Sequence, residues 1–180
     1  MRSIFIGYMF TFLNININFG HSTLDILPDF IGFWFIIKGL KELAHESNFF
    51  EKVLPLAKFM MVYTAALWIM NLIGIAGTDN TILTIVITVL GLISLAISLL
   101  LSFNIIQGVK EIEFNHFTSL ESGPLEKAWK IMAIAEVATF LLAVIVPPLS
   151  VVSLIVAFIF AIVFLVRFNR SKNLYEQITL

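Results

Sequence analysis

Apolar and polar positions fall in long blocks along the chain. Six blocks are apolar: Ile4 to Ile17, Ile26 to Leu40, Leu56 to Ala76, Ile82 to Ile106, Ala128 to Val146 and Leu149 to Val166. The fourth carries no charged residue at all. A helix rises about 1.5 Å per residue and the hydrocarbon core of a bilayer is about 30 Å thick, so the last four blocks match or nearly match a membrane span. The first two are short. They predict a tilted, tightly packed pair of spans or a re-entrant hairpin. Two full spans are preferred, because a short helix can thin the bilayer or extend its flanking side chains to the interface.

The connections alternate in kind. Of Asn18 to Asp25, Gly77 to Thr81 and Pro147-Pro148, the last two are very short turns built from Gly, Asp, Asn and Pro. His45 to Pro55, Glu113 to Lys127 and Arg167 to Leu180 are longer and charged. The pattern predicts an all-α polytopic membrane helix bundle, one domain over residues 1–180, with six transmembrane helices in three consecutive helical hairpins.

Charge orients that drawing. With alternating spans all 11 Lys and Arg residues, Arg2, Lys38, Lys41, Lys52, Lys58, Lys110, Lys127, Lys130, Arg167, Arg170 and Lys172, fall on one side. The three aspartates, Asp25, Asp29 and Asp79, fall on the other. The positive-inside rule then places both termini and the long loops in the cytoplasm.

Composition agrees. The chain is 59% hydrophobic and 13% charged, and its mean hydropathy is +1.00, with too little polar surface for a soluble domain of this size. A net charge of −1 supplies no field for nucleic acid. The absence of cysteine excludes disulfides and thiolate metal sites. Arg2 followed by Ile4 to Leu13 has the look of a signal peptide. It lacks a small-x-small cleavage site, however, and Asn14, Asn16 and Asn18 follow it, so it reads as a retained first span. Those asparagines alternate with isoleucine and read as an interfacial helix end, not a strand.

Glu136 lies eight residues into the fifth block, about 12 Å below the cytoplasmic face. A carboxylate near mid-bilayer costs at least about 2.5 kcal/mol, so it should face protein or water. It is either a proton- or cation-coupling group or a protonated carboxyl hydrogen-bonded to a neighbouring helix. Thr81, Thr84, Thr88, Gly91, Ser94, Ser98 and Ser102 recur every three or four residues and share one helix face. Small residues let helices approach closely in lipid. The alternative is one wall of a polar cavity with Glu136 opposite. Ser94, Ser98, Ser102, Asn104 and Glu136 form that candidate solute or coupling site. Asn71 and Asn104 are expected to bond between helices. Trp34, Trp68 and Trp129 read as belt or packing residues.

His21, Asp25 and Asp29 are spaced by four and four. On a continuous helix they would share a face at the outer mouth and could hold a cation. The competing reading makes Pro28 and Asp29 the opening turn of the second helix, capped by Ser22 or Asp25. His21 is no metal signature alone, and neither a resident metal nor a cofactor is expected. The charged cytoplasmic segments mix acids and bases, unlike a polybasic lipid clamp. There is also a weak echo. Ile36-Ile37-Lys38-Gly39-Leu40-Lys41-Glu42-Leu43 matches Ile105-Ile106-Gln107-Gly108-Val109-Lys110-Glu111-Ile112. It reflects a same-sense repeat of helical hairpins or the common way in which spans end at the cytoplasmic face. No nucleophile elbow, phosphate loop, zinc-protease or dinucleotide motif occurs, so an enzyme is not expected.

The block Leu24-Asp25-Ile26-Leu27-Pro28-Asp29-Phe30-Ile31-Gly32, followed by Lys38-Gly39-Leu40, resembles small polytopic membrane proteins of Gram-positive bacteria over residues 1 to roughly 75. The resemblance implies a bacterial cytoplasmic membrane and no assigned activity. Size and span count are also similar to the substrate-binding subunits of energy-coupling-factor vitamin transporters. Those carry an Ala-x-x-x-Ala helix face early in the chain, which the first span here lacks. Three functions follow as expectations. One is a transporter of a small solute or ion. Another is a non-transporting membrane adaptor with a protein partner or a second copy of itself. The third is a vitamin-binding subunit with a ligand cavity near His21 to Asp29.

Overall fold

The computed structural model describes the backbone of residues 1–12, 16–19, 22–25, 27–73 and 81–178, and side chains over 1–12, 27–73, 85–146 and 148–178. Six helices carry these residues: α1 (Arg2–Phe12), α2 (Asp29–Leu43), α3 (Asn48–Leu72), α4 (Thr81–Asn115), α5 (Ser122–Ile145) and α6 (Pro147–Ile178). The helical class read from the sequence holds. A short antiparallel pair, β1 (Asn16–Phe19) and β2 (Ser22–Asp25), precedes α2, with Asn16 opposite Asp25 and Phe19 opposite Ser22. This corrects the reading of Asn16 and Asn18 as an interfacial helix end. The Asn–Ile alternation has the period of two that belongs to a strand.

Four helices, α3 to α6, are long and apolar enough to cross a membrane. With 11 and 15 residues, α1 and α2 fall short of the roughly 20 that a perpendicular span needs. The charged connections are shorter than the sequence implies, because their residues join the helices. Ser47 caps α3 by accepting the Phe49 N–H at 3.2 Å, so Phe49 to Pro55 are helical and not a loop. Past their apolar runs, α4 continues to Asn115 and α6 to Ile178. The charges there find partners on neighbouring helices: Lys110 with Glu126, and Arg170 with Glu121 at 2.5 Å.

Each helix packs on the next in sequence, and α1 packs on α6, which closes a ring. Neighbours run in opposite directions. Ser3 at the start of α1 donates to Glu42 at the end of α2, at 2.9 Å. Ser47 donates to Glu111 from the start of α3 to the end of α4. Trp129 near the start of α5 meets Phe103 of α4, with ring centroids 5.0 Å apart. The Phe5 ring of α1 meets the Lys172 ammonium of α6 at 5.1 Å. The expected pairs 1–2, 3–4 and 5–6 are thus present, but α2 and α4 pack equally on the helices that follow them.

Glycines make the closest of these contacts. A Cβ on Gly7 would lie 2.6 Å from the Gly32 carbonyl oxygen, and one on Gly39 would lie 2.8 Å from the Ile4 nitrogen. A Cβ on Gly108 would run into the Phe50 ring. Gly39 and Gly108, the matched glycines of the internal echo, therefore do the same job. Each admits the start of the preceding helix.

The buried core, including Ile4, Ile36, Leu40, Phe50, Ile105, Ile106, Phe164 and Phe168, fills the end of the ring at which the ion pairs gather. The outer faces are apolar and exposed, for example Ile85, Val89, Ile134, Val144, Val152 and Ile155. Burial is worth about 25 cal/mol per Å² of apolar surface, so such a continuous belt suits lipid and not water.

Candidate functional site

Five helices line a partly open cavity of ≈ 320 Å³. Ser94, Ser98 and Ser102, four residues apart on α4, form one wall, and Met132 and Glu136 reach it from α5. Tyr8, Thr11 and Phe12 enter from α1; Asp29, Phe33 and Ile36 from α2; and Met60, Tyr63, Thr64 and Leu67 from α3. The sixth helix stands behind Tyr8. The phenol ring meets Phe164 and Phe168 edge-on, each with centroids 5.3 Å away.

The wall has a definite hydrogen-bonding character. Ser94 donates to the Gly91 carbonyl at 2.9 Å, and Ser102 to the Leu99 carbonyl at 3.0 Å. Thr64 donates to the Met60 carbonyl at 2.8 Å, and Thr11 to the Tyr8 carbonyl at 3.2 Å. A hydroxyl has one proton and two lone pairs. These four commit the proton to their own helix and keep acceptor capacity. The Trp129 indole N–H takes up that capacity on Ser102, donating at 2.8 Å and tying α5 to α4. Tyr8 differs. It is only 4% exposed, and its hydroxyl has no hydrogen-bond partner among the described residues. The cavity's ionisable carboxyls are Glu136 and Asp29, and no Lys, Arg or His lines it among the described residues.

Glu136, Ser94, Ser98 and Ser102 therefore line one cavity. Asn104 does not join them. It is absent from the lining and donates to the Leu100 carbonyl of its own helix at 2.8 Å. Of the upper part of the predicted stripe, Thr88 and Gly91 are not among the lining residues; Thr88 is exposed, and the side chains of Thr81 and Thr84 lie outside the described residues.

The outer-mouth cation site does not form as a helical face. Ser22–Asp25 is a strand and α2 begins at Asp29, so the four-residue spacing has no continuous helix to act on. The side chains of His21 and Asp25 lie outside the described residues. The residue preceding α2 is Pro28, whose own side chain makes no cap bond; the expected caps Ser22 and Asp25 have side chains outside the described residues. Asp29 does occupy the opening turn, and from there it faces the cavity. Among the described residues no group of three or more His, Asp or Glu is placed to hold a metal ion.

Sequence reasoning missed Tyr8, Tyr63 and Thr64. Their signal was available: each is a polar group inside an apolar block, the same irregularity that singled out Glu136.

A second polar cluster lies at the end where the ion pairs gather, outside the apolar spans. Glu46, in the turn between α2 and α3, accepts from His116 Nε2 at 2.8 Å and from the Tyr175 hydroxyl at 3.1 Å. The hydrogen bond from His116 holds the Glu46 carboxyl below its ordinary pKa. This contact joins the α2–α3 turn to the ends of α4 and α6.

Comparison with known proteins finds no significant match to a protein-family model, a curated protein or a solved structure.

Proposed function

We propose that this chain is a multi-pass protein of the bacterial cytoplasmic membrane that binds a small solute or ion inside its helix ring and carries it across, with Glu136 as the essential carboxylate. The observation that carries the reading is the cavity in which Glu136 meets Ser94, Ser98 and Ser102. An acid near mid-bilayer is expensive unless something polar faces it, and polar cavities between helices are where bundles hold ligands. In this reading the chain crosses six times with both termini cytoplasmic. The short helices α1 and α2 complete the ring by tilting or by thinning the bilayer around them. The ion-paired end of the ring carries the lysines and arginines that mark the cytoplasmic side.

The test is flux. Purified protein in liposomes, given an imposed pH gradient and a panel of small solutes and cations, should show uptake that Glu136→Gln abolishes. Uptake at the normal rate in that variant would remove Glu136 from the mechanism. No flux from the wild-type protein, together with a stoichiometric membrane partner captured in mild detergent, would make the chain an adaptor whose polar residues serve helix packing.

A further inference from the structure

We propose that the ligand of this cavity is a small organic cation, held through its ammonium group by Glu136 and through its carbon frame by the aromatic rings of Tyr8, Phe12, Phe33 and Tyr63. The inference rests on the solute-handling reading and adds the chemical class of the solute.

The argument goes by exclusion and then by fit. An anion would face Glu136 and Asp29 with no Lys, Arg or His among the described lining residues, and unscreened like charges in a low-dielectric site repel strongly. A neutral apolar molecule would leave the Glu136 carboxyl against hydrocarbon, which is costly unless it is paired. A bare metal ion needs six or more oxygens converging at about 2.3–2.6 Å for calcium, or octahedral ligands at about 2.0–2.1 Å for magnesium. The described residues hold no group of three or more His, Asp or Glu placed for such an ion, and the cavity brings only two carboxyls, Glu136 and Asp29. The cavity of ≈ 320 Å³ also has room for about ten waters at roughly 30 Å³ each, far more than one ion fills.

An organic ammonium meets every feature of the wall. Its N–H groups are donors. Ser94, Thr64 and Thr11 have already committed their own protons to backbone carbonyls and keep lone pairs free. Its charge pairs with the Glu136 carboxylate. Its C–H surface lies on aromatic rings, which attract cations through their faces. Tyr8 supplies the independent sign that something polar belongs here. Its ring is locked by Phe164 and Phe168, while its buried hydroxyl has neither proton nor lone pairs engaged among the described residues. Leaving such a group unmet destabilises the protein, and a polar ligand reaching it relieves that penalty.

The test uses the full chain in detergent and three probes of nearly equal shape: 2-phenylethylamine, 2-phenylethanol and phenylacetate. Binding is read by calorimetry and by thermal shift. The amine should bind about tenfold or more tightly than the alcohol or the acid. Glu136→Gln should erase most of that preference. Tyr8→Phe, which keeps the ring packing, should weaken amine binding severalfold, and it serves as the readout if the Gln variant does not fold. Equal or tighter binding of phenylacetate or phenylethanol would overturn this inference while leaving a solute site in place. So would amine binding that neither variant weakens. Failure of all three probes to bind overturns the organic-cation inference, and if the proteoliposomes also show no flux, the solute-handling reading falls with it.

Discussion

Glu136 and Glu46 are carboxyls with opposite surroundings. Glu136 faces a cavity between helices, whereas Glu46 is held by His116 and Tyr175 at the polar end of the ring. The Glu46 arrangement makes a pH prediction. A carboxyl whose pKa is depressed on folding, as that of Glu46 is by the hydrogen bond from His116, stabilises the fold fully above its unfolded pKa. That contribution is lost as the pH falls through the lower folded value. Glu46→Gln should therefore lower the melting temperature at neutral pH, and the gap from wild type should narrow below about pH 4.5. Melting curves in detergent would check this, and a gap that stays constant down to about pH 3 would mean the contact does not act through ionisation. At this scale the sequence was legible where a single residue broke a rule. Glu136 stood out as an acid in hydrocarbon, and the four-residue spacing of Ser94, Ser98 and Ser102 put them on one face. Asp29 looked like a helix opening or an outer-mouth cation ligand with His21 and Asp25, and not like a partner of Glu136 in one cavity, because that placement depends on where α2 lies against α3 and α4. Asn104 looked like a cavity residue because it follows the stripe by two positions, yet its amide turns back to its own backbone.

The glycine contacts explain how two helices too short for a perpendicular span can belong to the ring at all. They approach until backbone meets side chain at Gly7, Gly32 and Gly39, which replaces length with intimacy of packing. The consequence is a difference in sign between two identical substitutions. Gly7→Ala places a methyl group 2.5 Å from Ile36 Cγ1 and 2.6 Å from the Gly32 oxygen. It should destabilise by about 1–3 kcal/mol through overpacking. Gly91→Ala meets nothing nearer than Phe140 at 3.8 Å and should be neutral, or stabilising by up to about 1 kcal/mol through helix propensity. Thermal unfolding of the two variants in the same detergent compares them directly, and equal effects would remove the close α1–α2 contact. Helix existence was legible from apolar run length. Helix ends were not, because Phe49 to Pro55, Glu113 to Asn115, Ser122 to Lys127 and the residues from Arg167 on are polar enough to read as loops. They are helical because Ser47 caps α3, because Glu126 meets Lys110 of α4 across an interface and Lys130 one turn along its own helix, and because Glu121, just before α5, meets Arg167 and Arg170 of α6.

At the scale of the molecule, closure of the ring between α1 and α6 could not be read from the order of spans. It decides the site, because it locks Tyr8, one of the lining residues, against Phe164 and Phe168. What the order of spans did supply is a side for every charge, and this has a direct measurement. The chain has no cysteine, so Lys52→Cys, Asp79→Cys and His21→Cys each create a single thiol. Lys52 lies in the opening turns of α3, near the end where Ser47 bonds Glu111. Asp79 and His21 lie in the segments before α4 and α2, outside the described residues. If alternating helices are alternating spans, a membrane-impermeant maleimide added to intact cells labels Asp79→Cys and His21→Cys. It reaches Lys52→Cys only after permeabilisation. Protection of His21→Cys with labelling of Asp79→Cys would turn α1 and α2 into a re-entrant pair while keeping the four longer spans. Labelling of Lys52→Cys and Asp79→Cys from the same side would break the six-span map. The cavity would then lose its place at mid-membrane, and the energetic reason for singling out Glu136 would go with it.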